Sequence, residues 1–249
     1  MSAPKPSHRL DQLLLNLGLV ASRSRARDAI QRGTVTVNGR VVTKPGTVFA
    51  EDAAVTIDDP AQDYVSRAAL KLVAALDHFG LDPAGHDCLD VGASTGGFTE
   101  VLLARGAHHV TAIDVGHDQM HPRIAGNPRV TNIEGLNARN LTADDIGHAV
   151  SFLVSDVSFI SLKLALAPAL ALAEPGGTCV LLVKPQFEAG REAIAKSGLL
   201  KDPGSAPAVA AELERWLAQE MGWNSLGLIP SPIAGGDGNQ EYLLAGTKP

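Results

Sequence analysis

The amino-acid sequence predicts an α/β fold, a doubly wound and mostly parallel sheet, preceded by a small α+β domain. Three observations lead to this prediction. From about residue 88 onward, apolar strand-like runs alternate with runs of helical periodicity. A glycine-rich turn over residues 92–97 joins the first of these strands to the first helix. The opening 58 residues instead contain two short helical patterns and a hairpin signal, so they form a domain of their own.

The charge of the chain is distributed unevenly. Residues 1–49 contain eight Lys and Arg against two Asp, although the whole chain carries a formal charge of −6. This asymmetry predicts a polyanion-binding module joined to an acidic body, and the alternative is a solvated, charged helix face. A length of 249 residues with 45% apolar residues is typical of a folded protein with one large and one small domain.

The small domain is predicted over residues 1–58, and residues 59–64 have the composition of a linker. Ser22 is placed to cap the second helix, and Asn38–Gly39 predicts a tight hairpin turn. The predicted elements in order are helices over 9–20 and 22–33 and strands over 34–37, 41–42 and 52–57.

The large domain is predicted over residues 65–249. It begins with a helix that Ser66 caps and that contains Lys71 within an otherwise apolar pattern. Parallel strands are predicted over 88–92, 109–115, 129–134, 151–157 and 178–185, and helices over 95–105, 142–147, 160–173 and 206–221. Two last strands, 225–233 and 241–245, are predicted to form an antiparallel hairpin that ends the sheet.

The glycine-rich turn predicts a site for a nucleoside. It contains Gly92, Ala93, Ser94, Thr95, Gly96 and Gly97, and the spacing differs from the G-x-G-x-x-G of dinucleotide sites, which argues against NAD. Asp90 before the turn and Asp114 at the end of the next strand suit a nucleoside with a zwitterionic tail, such as S-adenosylmethionine (SAM). The alternative is an ordinary glycine-rich connection between a strand and a helix.

Four charged residues are predicted to converge at the carboxyl edge of the sheet: Lys71, Asp156, Lys184 and Glu241. A ribose 2′-hydroxyl must lose a proton when it attacks a methyl donor, and a lysine can accept that proton when burial and a neighbouring cation disfavour its charged form. The sequence lacks the [DN]-P-P-[FY] motif of amino methyltransferases and a cysteine nucleophile after the fourth strand. A buried structural ion-pair network is the alternative.

Several sequence motifs resemble those of known families. Residues 8–58, with "GTVTVNGRVVTKPGTVF", resemble the S4-type RNA-binding domain. The phrases "YVSRAALKL", "LDVGASTGGFT", "SDVSFISL", "LLVKPQFEAG" and "GNQEYLL" resemble the TlyA family, which joins an S4-type domain to an FtsJ-like methyltransferase domain. The four charged residues match the K-D-K-E tetrad of FtsJ-type ribose 2′-O-methyltransferases in order and local context.

This resemblance implies a fold and an activity. The fold is a Rossmann-like, SAM-dependent methyltransferase with a mostly parallel seven-stranded sheet and an antiparallel terminal strand. The activity is 2′-O-methylation of cytidine in 16S and/or 23S rRNA within ribosomal subunits, with a link to capreomycin susceptibility. Residues 92–97 are implied to hold the methionine end of SAM and Asp114 its ribose, with Asp156 beside the methyl donor. Glu134 and Asn137 are implied to border the adenine.

Arginine suits phosphate contacts, because its planar group binds two oxygens at once. The candidate RNA contacts are Arg9, Arg23, Arg25, Arg32 and Lys44 in the small domain and Arg67, Arg139 and Arg191 in the large one. For the last three, ordinary surface arginines are the alternative.

The remaining expectations concern location and other activities. The segment His117–His121 approaches a zinc motif, but Pro122 would end any helix there, so no metal is expected. Cys88 and Cys179 are expected to be buried, reduced thiols, and the absence of a signal peptide or spanning segment predicts a cytoplasmic protein with no membrane contact. A monomer is expected as well. Two other functions stay open, a non-catalytic ribosome-binding factor with a vestigial methyltransferase fold and a pore-forming haemolysin.

Overall fold

The computed structural model describes residues 6–249 and divides the chain into two compact units, Met1–Asp63 and Tyr64–Pro249. The first five residues of the predicted small domain, Lys5 among them, lie outside the described residues. The predicted α/β class is confirmed, because the second unit contains one seven-stranded, mostly parallel sheet.

Within residues 6–63, the first unit contains five short strands and two α-helices. They are β1 (Ser7–Arg9), α1 (Leu10–Asn16), α2 (Arg23–Gln31), β2 (Val35–Val37), β3 (Arg40–Val41), β4 (Val48–Ala50) and β5 (Val55–Ile57). Ser22 caps α2 as predicted, since its side chain accepts a hydrogen bond from the backbone of Arg25. The sequence did not predict β1 or its pairing with β4, because strands of three residues are too short for periodicity to reveal.

Residues 59–63, for which the sequence predicts a linker, fold with the first unit. Asp59 forms an ion pair with Arg32 at 2.7 Å, and Ala61 is buried. A 3-10 turn follows at Pro60–Asp63. A composition typical of linkers does not show that a carboxylate within it has a partner 27 residues away.

The second unit alternates strands and helices. Its first half contains α3 (Ala69–Phe79), β6 (Asp87–Val91), α4 (Gly97–Ala104), β7 (His109–Asp114), α5 (Pro122–Ala125), β8 (Val130–Glu134) and α6 (Ala143–Ile146). Its second half contains β9 (Val150–Ser155), α7 (Leu162–Ala165), α8 (Ala167–Leu172), β10 (Ala173–Val183), α9 (Pro185–Glu188), α10 (Ala206–Gln219), β11 (Asn224–Pro230) and β12 (Tyr242–Thr247).

The strand order in the sheet is β11-β12-β10-β9-β6-β7-β8. Strands β6 to β10 run parallel to one another, whereas β12 is antiparallel to both β10 and β11. The predicted final hairpin is therefore confirmed. Strand β12 of this hairpin pairs with β10, and Val183 lies opposite Tyr242. The residue before Tyr242 therefore lies near the end of β10.

Two predicted helix boundaries are wrong. The helix predicted over 160–173 is divided into α7 and α8 at Leu166, because Pro168 lacks a backbone N–H and is placed in the first turn of a new helix. Ser66 does not cap α3, whose N-cap is Ala68. The Ser66 hydroxyl instead accepts from the backbone N–H of Ala68, just before the helix begins.

Two apolar clusters cover the two faces of the sheet. Successive residues of β10 alternate between them, with Cys179 in one and Val180 in the other. The first cluster includes α7, α8 and α10, and the second includes α3 and α4. Cys88 and Cys179 are buried free thiols, as predicted, and burial raises the pKa of Cys88 to about 12.

Candidate active site

A cavity of about 310 Å³ lies in the second unit, where the carboxyl ends of β6, β9 and β10 meet the start of β12. Open α/β sheets bind their ligands at this edge, outside the strand ends. The cavity is lined by Ser66, Ala68, Lys71, Gly92, Ala93, Ser94, Thr95, Gly97, Phe98, Asp156, Ser158, Phe159, Lys184, Gln186, Phe187, Gly236, Asp237 and Glu241.

The four charged residues predicted from the sequence all line this cavity and form two ion pairs. The ammonium of Lys71 lies 2.5 Å from Glu241 Oε2, and the ammonium of Lys184 lies 2.5 Å from Asp156 Oδ1. Both lysines and Glu241 are more than 90% buried, and the side chain of Asp156 is 17% exposed. Burying an ammonium group is costly unless it has a partner, and here each lysine has its own carboxylate.

The positions of these residues follow from the strands. Lys184 ends the apolar run of β10, and Pro185 begins α9 directly after it, so the strand cannot continue. Asp156 follows β9 and Glu241 precedes β12, which places both beside the end of β10. Lys71 reaches the same point from the first turn of α3.

A hydroxyl that sequence reasoning missed completes the site. Ser158 Oγ accepts a hydrogen bond of 2.6 Å from the ammonium of Lys184, which therefore has two partners on the segment after β9. The signal in the sequence is modest, a serine two residues beyond Asp156 in the same strand-end segment. Lys184 is thus held in one orientation by Asp156 and Ser158.

Asp90 lies behind the glycine-rich loop and does not line the cavity. Its Oδ2 accepts a hydrogen bond of 2.6 Å from Thr99, while its buried Oδ1 has no hydrogen-bond partner among the described residues. Burial raises the pKa of Asp90 to about 7, against the effect of the Thr99 hydroxyl, and the negative charges of Asp156 and Asp114 add to the increase. An unsatisfied, buried carboxylate oxygen beside a ligand loop suits a cationic donor.

The glycines of the loop allow close packing. A Cβ on Gly92, where φ is +84°, would lie 3.0 Å from the backbone nitrogen of Val157, and a Cβ on Gly97 would lie 2.9 Å from the Ser66 side chain. Residues 92–95 and Gly97 line the cavity, whereas Gly96, at a φ of +92°, turns the chain behind it. The absence of a side chain at Gly92 and Gly97 therefore lets the loop pack closely against Val157 and Ser66.

The other predicted nucleoside contacts lie outside the cavity. Asp114 accepts hydrogen bonds from the backbone N–H groups of Ser94, at 2.8 Å, and Gly116, at 2.7 Å, so it adjoins the glycine-rich loop. Glu134 accepts from three successive backbone N–H groups, residues 118–120, and these bonds lower its pKa. Asn137 accepts from the backbone of Arg139. The structure thus brings Asp114 to the loop and gives Glu134 and Asn137 backbone partners of their own.

Two phenylalanines that sequence reasoning missed stand at the cavity. The rings of Phe159 and Phe187 are 5.1 Å apart at an angle of 47°. Phe159 is 89% exposed and has a φ of +64°, which is uncommon for a residue other than glycine. Each phenylalanine follows a charged cavity residue by three positions, which is the signal that the sequence offered. An exposed ring at the cavity is free to contact a flat ligand.

The predicted RNA contacts fall into different environments. In the second unit, Arg67 is partly buried, Arg139 and Arg191 are exposed, and none of the three lines the cavity. In the first unit, Arg9, Arg23 and Lys44 are exposed, and Arg25 is partly buried.

Arg32, another predicted RNA contact, has carboxylate partners within the first unit. Its Nε donates to Asp28 at 2.9 Å, and its two terminal nitrogens donate to Asp59 at 2.8 and 2.7 Å. These bonds raise the pKa of Arg32 against the effect of burial. A guanidinium bound on both edges has little capacity left for a phosphate.

The described residues also bear on metal binding and on membrane insertion. No group of three or more His, Cys, Asp and Glu within residues 6–249 could hold a metal ion, the segment His117–His121 included. In the same part of the chain, every helix is too short or too polar to span a lipid bilayer.

Family models match both units of the chain. The FtsJ-like methyltransferase model matches residues 64–248, and the S4 domain model matches residues 8–53. The first of these matches covers more than half of the chain.

Individual proteins are similar over nearly the whole length. The 16S/23S rRNA (cytidine-2′-O)-methyltransferase TlyA of Mycobacterium tuberculosis is 45% identical over 238 residues, 95% of this chain and 88% of that protein. The 23S rRNA (cytidine-2′-O)-methyltransferase TlyA of Campylobacter jejuni is 34% identical over 89% of this chain and 92% of that protein. A solved structure described as a putative hemolysin from Streptococcus thermophilus has a TM-score of 0.74 at 38% identity, covering 98% of this chain and 90% of that one.

Proposed function

The chain belongs to the TlyA family of rRNA (cytidine-2′-O)-methyltransferases, and from this membership we propose that it methylates a cytidine ribose in 16S and/or 23S rRNA within ribosomal subunits. The observation that carries the proposal is the pair of buried lysine–carboxylate ion pairs facing one cavity beside the glycine-rich loop. We further propose that the protein acts as a monomer in the cytoplasm, where ribosomal subunits are found.

The loop and its surroundings support SAM as the methyl donor. The unsatisfied Asp90 Oδ1 suits a cationic donor, and residues 92–95 and Gly97 of the loop line the cavity. We assign residues 92–97 to the methionine end, Asp114 to the ribose, and the Glu134 and Asn137 region to the adenine. When bound, SAM supplies a methyl group on a positively charged sulfur, which an oxygen nucleophile can attack.

Lys184 is assigned the removal of the 2′-hydroxyl proton. The nitrogen must be uncharged when it accepts this proton, and it then carries the proton while the new bond joins the ribose oxygen to the methyl carbon. Asp156 and Ser158 hold the nitrogen in place, and a fixed geometry is a large part of what a catalytic base contributes. The bond between methyl carbon and sulfur breaks in the same step, which leaves S-adenosylhomocysteine.

Lys71 and Glu241 are assigned to the ribose. The Lys71 ammonium, held by Glu241, offers a donor to a ribose oxygen in the same cavity. Its position in the first turn of α3 and that of Glu241 before β12 come from two elements that pack together in the second unit. In this assignment the Lys184–Asp156 pair removes the proton, and the Lys71–Glu241 pair binds the ribose.

The RNA is assigned to the exposed surface around this cavity and to the S4-type unit. The exposed ring of Phe159 offers a platform on which a base extruded from its helix can stack. Arg67, Arg139 and Arg191 belong to the catalytic unit, and contacts of these residues with phosphates would orient the strand.

The test is transfer of a labelled methyl group from SAM to purified 30S and 50S subunits, followed by alkaline hydrolysis of the RNA. A 2′-O-methyl group blocks cleavage at its own phosphodiester, so we expect label in alkali-resistant dinucleotides. Lys184→Ala is expected to lower the rate by about 100- to 10,000-fold, since it removes the base. Lys163→Ala, which changes an exposed lysine of α7 outside the cavity, serves as the matched control.

Two results would contradict the proposal. Label released as mononucleotides would show methylation of a base rather than a ribose. Absence of label on either subunit, with SAM still bound, would instead favour the non-catalytic ribosome-binding factor. In that case the same variants would be compared for subunit binding alone.

A further inference from the structure

The first unit contains a fully buried carboxylate with three arginine partners. Asp11 is the second residue of α1, and its side chain is 0% exposed. It accepts hydrogen bonds from the Nε atoms of Arg9 at 3.1 Å, Arg23 at 3.0 Å and Arg27 at 3.0 Å. Burial opposes ionisation, but the three guanidinium hydrogen bonds outweigh it and hold the pKa of Asp11 below its usual range.

This arrangement gathers more positive charge than the carboxylate can neutralise. Arg23 and Arg27 lie one turn apart on the same face of α2, and both point at α1. Three guanidinium groups around one carboxylate leave two net positive charges in one place. Like charges repel, so a cluster with this excess of positive charge is unfavourable unless an anion binds to it.

The arginines are also oriented toward solvent. Their side chains are 49%, 44% and 53% exposed for Arg9, Arg23 and Arg27. The bonds from Arg23 and Arg27 to Asp11 use only Nε, so the terminal amino groups of these two residues take no part in them. The edge of a guanidinium that carries two amino groups is the one that binds a phosphate in two places.

We propose that Asp11 is a positioning residue that holds Arg9, Arg23 and Arg27 as one binding site for a phosphate group of the RNA backbone. The proposal rests on the proposed function, because that function makes RNA the polyanion. It adds Arg27 to the predicted RNA contacts. Lys44 is exposed, and Gly46, two residues further along the chain, adjoins Arg9, because a Cβ there would lie 3.2 Å from Arg9 Nη1.

Arg32 provides the internal contrast. It lies at the end of the same helix α2, but two carboxylates bind both edges of its guanidinium. One carboxylate shared among three arginines gives a site for an anion, whereas two carboxylates on one arginine give a structural bridge. The ratio of carboxylates to guanidinium groups separates the two roles.

Asp11→Asn in the full-length chain tests the proposal, because charge and positioning predict opposite results. Removing a negative charge strengthens RNA binding if only net charge matters. Loss of positioning weakens it, and we expect the dissociation constant for ribosomal subunits to rise about tenfold. Asp58→Asn is the matched control, since it removes the same charge from an exposed position of the first unit that has no part in this cluster, and its binding should be unchanged or tighter.

A second pair of variants keeps the test decisive if Asp11→Asn does not fold. Arg27→Lys retains the charge but cannot bind a carboxylate and a phosphate in one fixed plane, so we expect binding about fivefold weaker. Arg27→Gln should also lower the slope of log K against log salt concentration by about one, the value for one lost phosphate contact. Thermal melting followed by circular dichroism identifies the variants that are folded.

The outcomes separate this proposal from the proposed function. If the wild-type chain binds subunits and Asp11→Asn binds as tightly or more tightly, the positioning role is wrong while the function stands. The positioning role is equally wrong if Arg27→Lys binds as wild type and Arg27→Gln leaves the salt slope unchanged. If the wild-type chain binds neither subunit and transfers no methyl group, the proposed function fails and this proposal fails with it.

Discussion

Asp90 combines burial with a carboxylate oxygen that has no hydrogen-bond partner among the described residues. Because burial raises its pKa to about 7, a fraction of the carboxyl group is protonated at neutral pH. The protonated form cannot accept a hydrogen bond through both oxygens. A positive charge close to Asp90 would favour its ionised form.

We expect the affinity for SAM to rise with pH through this range. A positive charge bound beside the loop favours the ionised form of Asp90, so the affinity for SAM is lower below the pKa and higher above it, with a change of about tenfold between pH 6 and pH 8. Isothermal titration calorimetry at several pH values measures this. Thr99→Val removes a hydrogen bond that lowers the pKa, so the midpoint should move upward. A flat profile for the wild-type chain would contradict the assignment of Asp90.

Ser158 is expected to contribute to the rate and not to cofactor binding. Its hydroxyl holds the Lys184 ammonium at 2.6 Å, and Ser158→Ala leaves Asp156 as the remaining partner on that segment. We expect kcat to fall about tenfold with an unchanged dissociation constant for SAM. Ser155→Ala is the control, because Ser155 Oγ is buried and has no hydrogen-bond partner among the described residues. Equal activity of both variants would remove Ser158 from the mechanism.

At the scale of elements, the segment after β9 is connected to helix α9, which follows β10. Glu188, at the end of α9, accepts hydrogen bonds from the Ser161 hydroxyl at 2.6 Å and the backbone of Leu162 at 2.8 Å. Burial raises the pKa of Glu188, and the two hydrogen bonds oppose this rise. These bonds connect the start of α7 to α9, so the segment that contains Phe159 and the helix that contains Phe187 are held together at one point.

Another element contact predicts a difference between two glycines that line the cavity. Gly97 begins α4, and a Cβ there would meet the Ser66 side chain at 2.9 Å and the backbone of Ala69 at 3.3 Å. A Cβ on Gly236 would meet nothing within 4 Å. We therefore expect Gly97→Ala to lower the free energy of unfolding by about 1–3 kcal/mol through overpacking, and Gly236→Ala to leave it nearly unchanged.

Chemical denaturation of the two variants beside the wild type measures this difference. Ala has a higher helix propensity than Gly, which alone would stabilise α4. If Gly97→Ala were more stable than the wild type, this gain would exceed the cost of overpacking, and α3 and α4 would have to separate easily to make room for the added methyl group. That result would contradict the close packing of the two helices at this point.

The sequence predicted the elements better than the contacts between them. The strands and the charged cavity residues could be predicted because apolar runs mark the strands, and parallel strands bring their carboxyl ends to one edge. Ser158 and the Phe159–Phe187 pair were missed, since their importance depends on segments that meet only after folding. Arg32 was assigned to RNA for the same reason, because the sequence does not show that Asp59 binds it.

At the scale of the molecule, the distribution of charge predicts how RNA binding responds to salt. The chain carries a formal charge of −6, yet the described part of the first unit presents exposed arginines. We expect binding to ribosomal subunits to weaken at least about tenfold between 50 and 200 mM salt, because phosphate contacts release counterions. Affinity for SAM, measured over the same range, should change little, since the cofactor has few charges. Salt-independent subunit binding would show that the arginines do not contact phosphates.

The two native thiols have a practical consequence for following RNA docking in solution. Cys88 and Cys179 are the only cysteines of the chain, both are buried, and burial raises both pKa values, so almost no thiolate is available to a maleimide at neutral pH. A cysteine introduced at the exposed Ser24 of α2 would then be the one site that takes up a fluorescent dye. The label would report on the arginine surface of the first unit without any prior removal of native cysteines.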